Sequence, residues 1–158
     1  MALVLIHVLI SLAGIATGVA VMKGLLSNKR IDLWTNLFLA SNVATNLSGF
    51  ILPADRILPS HIVGFISMAA LALAYAARKR LQASGAWRRT FVASSAFALY
   101  LNVFVAVVQA FQKIPALRAM APTQSEPPFL VAQLAVLSVF IGLGIVATQR
   151  FRPVQASY

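Results

Sequence analysis

Five apolar runs, each about the length needed to cross a lipid bilayer, follow one another along this chain with clusters of Lys and Arg between them. A hydrocarbon core about 30 Å thick is crossed by about 20 apolar residues in a helix, so this alternation restricts the chain to a transmembrane bundle. The runs are Ala2 to Met22, Leu33 to Leu52, Pro59 to Ala77, Thr90 to Gln112 and Phe129 to Gln149. They predict an all-α, polytopic transmembrane helix bundle of about five spans, a single domain over residues 1–158. Composition agrees: 60% of residues are hydrophobic and 10% charged, against roughly 45–50% and about 25% in soluble domains.

The first run has no charge before it, unlike the basic start of a secretory signal peptide, and is expected to be a retained helix. Pro53-Ala54-Asp55 ends the second run, and Pro59 opens the third, at the first helical position that proline favours. Orientation follows from the basic residues, because Lys- and Arg-rich loops stay cytoplasmic. Ten of the 13, namely Lys23, Lys29, Arg30, Arg78, Lys79, Arg80, Arg88, Arg89, Arg150 and Arg152, fall on one side. Arg56, Lys113 and Arg118 fall on the other, with Asp55 and Glu126. The expected topology is therefore N-out, C-in.

The net charge of +10 has the same explanation, together with attraction to anionic lipid head groups. Nucleic acid is not an expected partner, because the basic residues do not form a stripe with interleaved aromatics. The chain has no cysteine. That removes disulfides, thiolate nucleophiles, thiolate-bound iron–sulfur clusters and covalent c-type haem. There is no Gly-x-Ser-x-Gly elbow, Walker loop or Gly-x-Gly-x-x-Gly fingerprint, and Ser60-His61, being adjacent, diverge on a helix. A stand-alone hydrolase is disfavoured.

Polar residues inside the runs carry the remaining information, since each must face protein, cofactor or water. His7, Ser11, Gly14 and Gly18 share one face of the first helix; Thr35, Asn42, Asn46 and Gly49 share one of the second. The third offers His61, Gly64 and Met68, the fourth Ser95, Asn102, Gln109 and Lys113, and the fifth Gln133. Interhelical hydrogen bonds of about 0.6–2 kcal/mol each account for Asn42, Asn46, Asn102 and Ser95, and close packing for Gly14-x-x-x-Gly18.

His7 and His61 stand at similar depth near the external end, where Asn46, Gln109, Lys113 and Gln133 are expected to join them under the loop Lys113 to Pro128. Two imidazoles at equal depth can hold the iron of a b-type haem between helices, with Gly14 and Gly64 leaving room for the macrocycle. A quinone or proton-handling site uses the same residues. The bland alternative is that each histidine is a hydrogen-bonding interfacial residue. A metal site built from protein alone is not expected, because only five His, Asp and Glu residues exist and Asp55 and Glu126 lie in loops.

The segments Ile57-Leu58-Pro59-Ser60-His61, Tyr100-Leu101-Asn102-Val103-Phe104 and Ala121-Pro122-Thr123-Gln124-Ser125-Glu126-Pro127-Pro128-Phe129 resemble a family of small polytopic inner-membrane proteins of proteobacteria. The resemblance implies a bacterial inner (plasma) membrane and carries no catalytic or ligand residue across. Three roles compete: an accessory subunit or binding protein of a larger membrane complex or homo-oligomer, a haem- or quinone-associated electron-transfer protein, and a small transporter. Transport is the least expected, because the deep layer has neither charge nor a clearly broken helix.

Overall fold

The computed structural model describes residues 2–52, 59–82 and 84–152. Among these, six helices and no strand occur: α1 (Ala2–Leu26), α2 (Asp32–Ile51), α3 (Pro59–Lys79), α4 (Gly85–Lys113), the short α5 (Pro115–Met120) and α6 (Pro127–Arg150). Pro53-Ala54-Asp55, which ends the second run, and the residues from Pro153 onward lie outside the described residues. Four helices, α1, α3, α4 and α6, are long and apolar enough to cross a membrane. At 20 residues α2 spans about 30 Å, but Thr, Ser and Asn side chains dilute its hydropathy.

How α2 stays in an apolar bundle is visible in its own hydrogen bonds. Thr35, Ser41, Asn42, Thr45 and Asn46 each donate to a carbonyl four residues back, at 3.0, 2.7, 2.8, 2.9 and 2.9 Å. Polar groups that would be costly in a dry interior are thereby paired with the helix that carries them.

All of the long helices except α2 run longer than the apolar runs indicate. α1 continues past Met22 through Lys23 to Leu26, because a lysine at a helix end extends its stem along apolar surface and keeps the ammonium in water. What stops α1 is a Schellman turn: Lys29 N donates to Gly24 O at 2.8 Å, Asn28 N to Leu25 O at 3.3 Å, and Asn28 takes the left-handed φ of 54°. Ile31 closes the turn against Gly24, where a Cβ would come within 2.8 Å of the isoleucine side chain. α4 begins at Gly85 instead of Thr90, with Trp87 under the Arg80 guanidinium 4.7 Å from the ring centroid. α6 begins at Pro127, and α3 ends at Lys79.

α4 is the hub, packing on α1, α3, α5 and α6, while α2 packs on α1 and α3. Its small residues Ser94, Ser95, Ala96 and Ala98 are buried and let neighbouring helices approach closely. On α1 the buried positions Gly14, Thr17, Gly18, Val21 and Leu25 recur every three or four residues as one stripe. At one end the C-termini of α1, α3 and α6 meet the N-termini of α2 and α4. Arg78 of α3 bonds Asp32, the Arg152 N–H donates to Asn28 Oδ1 at 2.6 Å, and Phe151 packs on Phe91. At the other end α5 and the turn after it cover the ends of α4 and α6. Buried Phe111, Ala121 and Phe129 form a small cluster there, the two rings edge-on at 5.3 Å.

Candidate functional site

Midway along the bundle, α1, α2 and α4 converge on one pair of amides. Asn102 Nδ2 donates to Asn42 Oδ1 at 3.0 Å; the Ser11 hydroxyl donates to Asn102 Oδ1 at 2.8 Å; and Asn102 Nδ2 also reaches Ser11 O at 3.3 Å. Both asparagines are buried. Gly14 is the floor beneath them: a Cβ there would lie 2.9 Å from Asn102 Nδ2 and 3.0 Å from Asn42 Nδ2. The glycine thus makes room for an amide pair.

One turn along α2, Asn46 carries the network to α3. Its amide donates to Asn42 O at 2.9 Å and to the hydroxyl of buried Ser67 at 3.0 Å. Four helices are joined by a continuous polar layer of Ser11, Asn42, Asn46, Ser67 and Asn102. Amides suit this position because each offers two donors and an acceptor without a charge to desolvate. Deeper toward the basic end Gly18 lies against Leu99 and Phe38, and the interior becomes apolar.

The two histidines sit nearer the other end, and each meets α2. His7 Nδ1 is 2.8 Å from Ser48 Oγ, and Ser48 Oγ also donates to Thr45 O at 3.0 Å. Gly49 lies against the same ring, where a Cβ would be 3.4 Å from His7 Cε1. His61 has its ring 6.1 Å from that of Phe50, and Phe50 fills the space over Gly64. Ser48 and Phe50, two residues apart, project about 200° apart around a helix. The two histidines therefore meet different faces of the last turn of α2.

The remaining expected site residues divide. Asn46 and Asn102 belong to the mid-bundle layer. Gln133 of α6 faces α4, where its Nε2 donates to Phe104 O at 3.3 Å and its buried Oε1 has no protein partner. Gln109 is half-buried on α4 and Lys113 is exposed in its last turn. The loop after α5 is held to α4, through Gln124 Nε2 on Val108 O at 3.0 Å and Gln112 Nε2 on Gln124 Oε1 at 3.3 Å. Within it the Glu126 carboxylate accepts from Thr123 N and Ser125 N, both at 3.1 Å.

Sequence reasoning did not find Ser48, Ser67 or the Asp32–Arg78 pair. Ser67 carried a usable signal, standing one turn from Gly64 on the polar side of α3. Asp32 and Arg78 are 46 positions apart, and nothing local couples them. Compared with family models, with curated proteins and with solved structures, the chain matches none.

Proposed function

We propose that this chain is a small integral protein of a bacterial inner membrane that crosses it five times, N-terminus outside, and serves as an accessory or binding subunit beside other membrane helices. The observation that carries this reading is how its polar groups are used. Asn42, Asn46, Asn102, Ser11 and Ser67 bond one another across four helices, whereas the outer faces of α1 and α6 present bare Leu, Val and Ile side chains. Such a molecule is held together from inside and is open to apolar neighbours all along its sides.

Five crossings are supported by the path of α2. Its first turn is tied to the end of α3 through Asp32 and Arg78, and its last turn meets the starts of α1 and α3 through His7 and Phe50. α2 thus covers the same depth as two helices apolar enough to span. The end where Arg78 and Arg152 are anchored gathers ten of the 13 Lys and Arg residues, which supports a cytoplasmic placement for it.

The contacts of His7 and His61 with different faces of α2 favour the accessory reading over electron transfer through a haem shared by the two. Native electrophoresis after extraction in a mild detergent tests the proposal: the chain should migrate in an assembly larger than its own detergent-bound monomer. A monomer with a Soret band that shifts on reduction would replace the accessory reading with the haem reading.

A further inference from the structure

At the basic end, an open cleft of about 690 Å³ lies between the first turns of α2 and the last turn of α3, lined by Arg30, Asn36, Tyr75, Arg78, Lys79 and Arg80 among others. Four of these six are cations. Among the described residues Asp32 is the one carboxylate that faces them: it pairs with Arg78 at 2.8 Å and with Arg30 at 3.2 Å, while Glu126 stands at the opposite end of the bundle. A surplus of positive charge remains in the cleft.

The cations are also held in place. Arg78, mostly buried, is fixed by Asp32 and by Asn36 Oδ1. Lys79 Nζ stands over the Tyr75 ring, 4.6 Å from its centroid, and the Arg80 guanidinium over Trp87. Contact with a ring face positions a cation without using its N–H donors, so these remain available to an anion. Further along α2 and α3, large apolar side chains are exposed, Leu37 and Leu73 among them.

We infer that this cleft binds the phosphate of an anionic glycerophospholipid, with Lys79 and Arg80 as the charge donors and the acyl chains lying along α2 and α3. The inference rests on the membrane reading above. Given that reading, the cleft lies at the depth of the head groups, where Tyr and basic side chains gather, and the two helices that line it expose apolar side chains further along. A free phosphate would use the cations and leave that surface unused.

The experiment is native mass spectrometry of the full chain in detergent, offered equal amounts of phosphatidylglycerol and phosphatidylcholine. Wild type should retain phosphatidylglycerol preferentially. K79Q/R80Q should lower that retention about five-fold or more for each charge removed. R89Q/R150Q, which removes two exposed charges from the same end but outside the cleft, should keep it. K79Q alone, leaving Arg80 on Trp87, should give an intermediate loss and guards against misfolding of the double variant. Equal loss in both double variants would overturn the inference in favour of a diffuse field, and equal retention of the two lipids would overturn it outright. So would binding of inorganic phosphate that displaces the lipid at millimolar concentration. Extraction of the chain from membranes by alkaline carbonate would instead overturn the membrane reading.

Discussion

The side chains of Asn42 and Asn102 meet at 3.0 Å directly over Gly14, where a Cβ would stand 2.9 Å from one amide nitrogen and 3.0 Å from the other, so at this level α1 approaches α2 and α4 through a glycine. Removing either element of this arrangement should loosen the same three helices.

Asn102→Leu removes the bonds to Asn42 and Ser11 and should destabilise the bundle by about 0.6–2 kcal/mol. Gly14→Ala pushes against two short, hydrogen-bonded amides that have little freedom to retreat, and should cost about 1–3 kcal/mol. Val139→Leu and Gly142→Ala are the controls: Val139 is exposed on α6, and a Cβ at Gly142 meets nothing within 4 Å. Thermal unfolding in detergent reads all four, and equal effects from Asn102→Leu and Val139→Leu would mean that the network is not what holds α4.

Because the histidines meet different faces of α2, His7→Ala and His61→Ala should act independently, their effects on stability adding to within about 0.3–0.5 kcal/mol in the double variant. Ser48→Ala should reproduce most of the His7→Ala effect and little of the other. A single shared ligand would give the opposite pattern, in which either substitution removes the same bound state and the second adds nothing.

Single cysteines at Ser125 and Ser84, both exposed and at opposite ends of the bundle, should be labelled differently on intact cells by an impermeant thiol reagent. Ser125→Cys is expected to react and Ser84→Cys to be protected until the membrane is opened. Labelling of Ser84→Cys alone would invert the topology.

Acid should loosen α2 from α3. Asp32 lies just outside the apolar run of α2, and its hydrogen bond from Arg78 holds the carboxyl below the ordinary carboxylate range despite some opposing desolvation. A depressed folded-state value stabilises above the unfolded carboxyl value of about 3.9 and is lost as pH falls through the folded one. With Asp32 more than half exposed, the contribution should stay under about 1 kcal/mol. Melting midpoints between pH 6 and pH 2.5 should fall less in Asp32→Asn than in wild type, and identical slopes would remove the pair from the account.

How far the sequence determined this protein can be read from α1 and α2. The apolar length of α1 makes it long and apolar enough to cross a membrane whatever it packs against, and a segment that crosses hydrocarbon must pair its backbone within a helix. The 3.6-residue phase likewise placed Gly14, Asn42 and Asn102 on inward faces before any neighbour was known. Which of those faces touch was decided by tertiary structure alone. His7 and His61 share a depth, and depth is a one-dimensional property that chain position reports well. That they meet different faces of the last turn of α2 is a matter of arrangement around the bundle axis, which the order of helices along the chain does not specify. The end of α1 shows the same division on a smaller scale: Lys23 looked like a boundary because it is charged, but a long side chain can reach water from within a helix. The stop came five residues later, where Asn28 adopts a left-handed turn that Ile31 closes and the Arg152 backbone seals from the far end of the chain.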